Sequence, residues 1–264
     1  MHLREAQWLA LLRLQDATHL PRMHAGFTAS DRWRQEQLPI IVMDMSRMPS
    51  MHSQNVLRVI ARFSATAPYG GYTQGNLYLL YAAGLVFDDE VRVYWAFERL
   101  VHRVDRYGPT TPYGARLVPD WVVGAGQPYA ELDRDMWDLL IRLRWIYVLF
   151  GQTFATHAGL LAACDFALQG PSDVGMFALC AALLERGNDM DLSMCECSLE
   201  RASLIIGQKV LSDEEAAFII SRAQLFLTCP GFSPISVGPR PRTKLMSTAA
   251  TAPPVPGSLP VPPL

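Results

Sequence analysis

The sequence predicts an all-α protein, and three observations carry that prediction. Apolar residues recur at three- and four-residue steps almost throughout, and strand-like alternation is nearly absent. Half of the 264 residues are hydrophobic and 18% are charged, enough apolar material to bury a substantial core. Trp8, Leu11 and Leu12 open the first helical segment. A second helix is expected to begin near Pro39 and to end at about Arg47, because Pro49 disfavours helical geometry at Met48. Val56, Ile60, Phe63 and Ala67 step by four, three and four, which places them on one helical face. Residues 76–87 are apolar all round and predict a helix packed on every side. Residues 88–104 open with three acids and close with His102 and Arg103, charges that suit the two ends of a helix. The apolar side of that helix should include Val91, Trp95 and Leu100. Further helices are expected over 131–150, 153–168, 173–187 and 213–228.

Two regions break the pattern. Residues 106–130 contain four prolines and four glycines, which predicts a long loop joining two helical halves. From Pro230 onward the chain carries ten of its nineteen prolines and few apolar residues able to pack. The expected organisation is one helical domain over 1–228 and a Pro-rich disordered tail over 229–264.

Composition also excludes function classes. The formal charge is −2 and no Lys/Arg block forms a basic footprint, which argues against nucleic-acid binding. Arg4 and Glu5 interrupt the N-terminal apolar stretch and no small-residue cleavage site follows, so no signal peptide is expected. Residues 145–164 lack formal charge, but Gln152, Thr153, Thr156 and His157 would be unsatisfied in hydrocarbon, which favours core helices over a membrane span. The five cysteines (164, 180, 195, 197 and 229) form an odd set that predicts reduced, mostly buried thiols in a cytosolic setting. The pair at 195 and 197 lies at the surface in this reading and has no second pair at zinc-ligand spacing. Asp133, Asp135 and Asp138 flank a helix start, where carboxylates suit the helix dipole. Residues 189–200 read as a mildly acidic solvated loop.

Two polar side chains stand where backbone signals end or turn the chain. Asp44 and Arg47 lie at i, i+3 at the end of the Pro39 helix, close enough for the carboxylate to steady the guanidinium. As an ordinary surface ion pair they would contribute under ~1 kcal/mol. Gln74 follows Gly70, Gly71 and Tyr72 and precedes Gly75, and glycines on both sides permit close approach of another molecule. As an ordinary loop residue, Gln74 would simply bond to backbone. Met43, Met45, Met48 and Met51 read as partly core, with an adaptable contact surface as the alternative, and His52 reads as a solvated loop residue that could line the same surface.

Ile41-x-x-Asp44-x-x-Arg47, followed by Gly71-Tyr72-x-Gln74-Gly75, resembles the paired signature of the TBC-domain Rab GTPase-activating proteins. Arg4-x-x-x-Trp8-x-x-Leu11-Leu12 is similar to that family's opening helix. Residues 142–154 and then Cys164-Asp165 are similar to its R-W-x-x-x-L-F-x-x-E-F and W-D segments, with Thr153 in place of the glutamate and Cys164 in place of the tryptophan. The chain departs from the pattern at Met48-Pro49, where the family commonly reads T-x-P, and at Asn76, where it commonly reads methionine.

The resemblance implies a TBC-like helical domain that accelerates GTP hydrolysis by a Rab-type small GTPase. Arg47 would stabilise charge on the phosphoryl oxygens and Gln74 would position the attacking water. Asp44 would hold Arg47, Tyr72 with Gly71 and Gly75 would set the loop, and Ile41 would anchor the helix in the core. No G-x-x-x-x-G-K-[ST] loop occurs, so GTP and Mg²⁺ would arrive with the partner and the chain would carry no cofactor of its own. The implied location is cytoplasmic, and peripheral on endomembranes through the partner. Two other readings use the same residues: a non-catalytic module that binds a GTPase or scaffolds a trafficking complex, and an unrelated all-α adaptor.

Overall fold

Hydrophobic periodicity at helical spacing becomes helices that share one continuous core. The computed structural model describes residues 3–20, 36–46, 53–66, 72–108, 118–125, 133–169 and 173–228. Within them the chain is all-α: α1 (Leu3–Leu11), α2 (Leu38–Met45), α3 (Ser53–Thr66), α4 (Asn76–Val86), α5 (Glu90–Val104), α6 (Asp120–Gly124), α7 (Arg134–Ile141), α8 (His157–Leu168), α9 (Val174–Gly187), α10 (Ser198–Gly207) and α11 (Asp213–Thr228). No strand forms among these residues beyond an isolated parallel bridge between Phe154 and Val210. The Pro-rich segment 229–264 lies outside the described residues.

The apolar α4 explains the layout. Leu77, Leu79, Leu80, Tyr81, Ala82 and Ala83 are all buried, because α4 packs on α5, α8 and α1. Helix α8 is shared with a second group, in which α11 packs on α8 and α9. In α3, Val56, Ile60 and Phe63 face the core as their spacing predicts, while Ala67 lies outside the described residues. Asp89 caps α5, its side chain accepting from the Arg92 N–H at 2.9 Å, and His102 and Arg103 occupy the last turn. Both ends of that helix carry the charge its dipole favours.

Several expectations need correction. The core face of α5 is Tyr94, Ala96, Phe97, Leu100, Val101 and Val104, with Leu100 as expected; Trp95 packs against the core while partly covered, and Val91 is only partly covered. The long loop expected over 106–130 contains α6, whose Val122 is buried together with Val118 just before it. Among the described residues of the expected 131–150 helix, only α7 is regular. A π-helical turn follows over Arg142–Ile146, with the Tyr147 N–H reaching back to the Arg142 carbonyl at 2.7 Å. Leu149 and Phe150 then take φ +47° and +60°, the left-handed region, which costs about 1–2 kcal/mol per residue. Both side chains are fully buried, and that burial holds the bend in place. The next helix therefore begins at His157, capped by Thr156, whose Oγ1 accepts from the Gly159 N–H at 3.0 Å. Residues 145–164 are divided by this bend, and no helix among the described residues is long and apolar enough to cross a membrane.

The loop expected over 189–200 ends early: α10 begins at Ser198 and buries Ala202, Ile205 and Ile206. Asp138 is not a helix-start carboxylate. It is buried and accepts from the Arg142 Nε at 2.6 Å and from the Val118 N–H at 2.8 Å. Cys164, Cys180 and Cys195 are buried and Cys197 is exposed, so the 195–197 pair is only half at the surface; Cys229 lies outside the described residues.

Candidate functional site

The site begins with α2. Pro39 sits in its first turn, where a missing N–H is harmless, and Ser46 ends it by donating its hydroxyl to the Met43 carbonyl at 2.7 Å. Ile41 is fully buried, as expected of an anchor, and Asp44 is 7% exposed. Ile40, Val42 and Met43 point the other way and remain exposed. The helix thus presents apolar side chains outward beside a buried carboxylate.

That carboxylate is also a buried hydrogen-bond acceptor. The Tyr72 O–H donates to Asp44 Oδ2 at 2.6 Å, across 28 residues of sequence. The Tyr72 N–H also donates to Gln37 Oε1 at 3.3 Å. The loop before α4 is therefore tied to both ends of α2. Burial of the Tyr72 phenol, then its bond to Asp44 and that residue's charge, push its pKa well above the usual tyrosine range.

The loop itself is short and closed. Thr73 and Gly75 carbonyls accept from the Asn76 and Tyr78 N–H groups at 3.1 and 3.0 Å. Gly75 has φ +104°, and a Cβ there would lie 3.1 Å from Val148 Cγ1 and 3.3 Å from Tyr147 Cε1. Glycine is required for both its backbone angle and its closeness to the 147–148 segment. Gln74, between Thr73 and Gly75, is exposed. Its carboxamide can accept with the oxygen and donate with the nitrogen, which suits it to orient a water.

The structure thus brings Ile41, Asp44, Tyr72, Gln74 and Gly75 into one neighbourhood. Arg47 and Gly71 lie outside the described residues, as do Met48, Met51 and His52. Sequence reasoning missed Tyr147, whose O–H donates to Asn76 Oδ1 at 3.1 Å. The available signal was Asn76, a polar residue at the head of an otherwise apolar helix, which needs a partner when buried.

A second cluster joins three positions that the sequence singled out separately. Arg4 Nε donates to Asp165 Oδ2 at 2.8 Å, and Trp8 Nε1 donates to Asp165 Oδ1 at 2.6 Å. Glu5 pairs with Arg92, tying the same turn of α1 to α5. Cys164 and Thr153 are both buried where the resembling motif has larger residues, and burial pushes the Cys164 thiol well above its usual range. Among the described residues no group of three or more His, Cys, Asp or Glu side chains is arranged to hold a metal ion. Comparison with models of known families, with curated proteins and with solved structures returns no match for this chain.

Proposed function

We propose that this chain is a GTPase-activating protein of the TBC type, acting on a Rab-type small GTPase through Arg47 and Gln74 supplied in trans. The observation that carries the proposal is the Tyr72–Asp44 hydrogen bond. It joins the motif stretch that ends in Arg47 to the loop that presents Gln74, two segments separated by the whole of α3. A GTPase needs both services at one phosphate: charge stabilisation on the phosphoryl oxygens and a water oriented for in-line attack. Arginine provides a permanent charge with donors in a fixed plane. An exposed glutamine on a closed, glycine-flanked loop provides the carboxamide. The exposed Ile40, Val42 and Met43 beside Asp44 offer apolar contact area for the partner. In this reading Asp44 serves the loop through Tyr72 and so links the two segments.

An arginine finger contributes on the order of 10³–10⁵ in rate, or about 4–7 kcal/mol off the barrier. The test is multiple-turnover GTP hydrolysis by a panel of Rab-type GTPases with catalytic amounts of the full chain. At least one member should be accelerated, with Arg47→Ala and Gln74→Ala each removing most of the effect. If no member responds, or if Arg47→Ala retains full acceleration, the catalytic reading is wrong. Binding without acceleration would assign the chain to the scaffolding class instead.

A further inference from the structure

We propose that Tyr147 is a positioning residue for Gln74, holding the 73–76 loop in one geometry from beneath. The inference rests on the activity proposed above and adds a residue that the two-motif signature does not contain. Gln74 is exposed, so packing of its own side chain does not fix its direction; its backbone must. The Tyr147 hydroxyl donates to Asn76 Oδ1 at 3.1 Å, two residues past Gln74, and the Thr73 side chain on the other side of Gln74 acts on the same phenol. The same ring lies under Gly75, its Cε1 3.3 Å from where a Cβ would be. The ring's opposite edge is as close to Gly108, with Cε2 2.9 Å from that residue's Cβ position. Tyr147 is itself 4% exposed and follows the π-helical turn, so the ring has nowhere to move. Burial pushes this phenol, protonated at neutral pH in any case, up to about 12, with Thr73 opposing that shift and the Asp105 charge adding to it. The hydroxyl therefore remains a donor at neutral pH. The departure at Asn76 has a use here, because a methionine thioether at that position would be only a weak acceptor for the bond.

The experiment is Tyr147→Phe, which keeps the ring and removes only the hydroxyl, with Thr73→Val as a second variant should the first fail to fold. With a responsive GTPase, maximal acceleration should fall roughly ten- to a hundredfold, the loss expected of an ångström-scale misplacement. The half-saturating GTPase concentration should stay within about twofold, since the partner-contact face is unchanged. In a Gln74→Ala background, Tyr147→Phe should add nothing further, because its effect runs through Gln74. Amide exchange at residues 73–78 of the full chain should rise in the variant. Wild-type acceleration in Tyr147→Phe, an equal loss in the Gln74→Ala background, or unchanged exchange at 73–78 would each overturn the proposal. If the wild-type chain accelerates no GTPase, the activity is refuted and the catalytic role of Tyr147 falls with it. The exchange comparison then still decides, on its own, whether Tyr147 holds the loop.

Discussion

Replacing Asp165 with alanine should release α1 from α8 and cost the fold about 1–4 kcal/mol. The magnitude comes from two bonds of unequal weight. Trp8 is fully buried, so its indole N–H, now 2.6 Å from Asp165 Oδ1, would lose its acceptor without gaining water. An unsatisfied buried donor costs about 1–3 kcal/mol. The Arg4 side chain is 40% exposed, so its pair with Asp165 Oδ2 contributes only about 0–1 kcal/mol. Asparagine separates the two terms: its amide oxygen can still accept from the indole, while the charge for Arg4 is gone. Asp165→Asn and Arg4→Ala should therefore each cost about 1 kcal/mol or less. Urea unfolding followed by tryptophan fluorescence and far-ultraviolet dichroism measures all three variants. Equal losses for Asp165→Ala and Asp165→Asn, or an Arg4→Ala loss matching Asp165→Ala, would show that the indole bond does not dominate.

Tyr72→Phe should destabilise the chain by about 1.5–3 kcal/mol, because the buried Asp44 carboxylate loses a charge-assisted donor; urea unfolding reads this directly. Gly75→Ala should cost about 1–3 kcal/mol through its left-handed φ and the closeness of Val148, and should reduce any GTPase acceleration measured in parallel. Alkaline pH should weaken the fold in a defined window. Tyr72 and Tyr147 have raised folded-state pKa values, so the unfolded chain releases these protons first. Their contribution is full below about pH 10 and declines as pH rises toward 12. Urea midpoints between pH 8 and 12 should fall less steeply in Tyr147→Phe; an unchanged slope would contradict the assignment.

Where a stretch is uniformly apolar or strictly periodic, its fate was legible. The 76–87 run became α4, and Val56, Ile60 and Phe63 became the inner face of α3, because burial alone decides such segments. The bend after α7 was not legible, since Leu149 and Phe150 carry no turn signal and take left-handed angles only through tertiary packing. Asp138 and Arg142 carry an i, i+4 spacing that a surface pair would also show, so their burial could not be read from it. At the site, it was the resemblance to the TBC signature that nominated Asp44, Tyr72 and Gln74; taken alone, their local pattern reads as an ordinary surface pair and an ordinary loop. The bond between Asp44 and Tyr72 spans 28 positions and needed coordinates. Tyr147 sits at a position the motif leaves open, and only the fold brings it to Asn76.

The tie between α1 and Asp165 also bears on how the chain is made. Trp8 and its carboxylate partner are 157 positions apart, so at about 5–20 residues per second roughly 8–30 s pass between the synthesis of the two. During that interval the first helix can lean on α4, its neighbour in the finished domain, but its indole has no acceptor. A ribosome stalled before residue 165 would hold a nascent chain whose Trp8 can already meet Phe87 but whose indole N–H still lacks its acceptor.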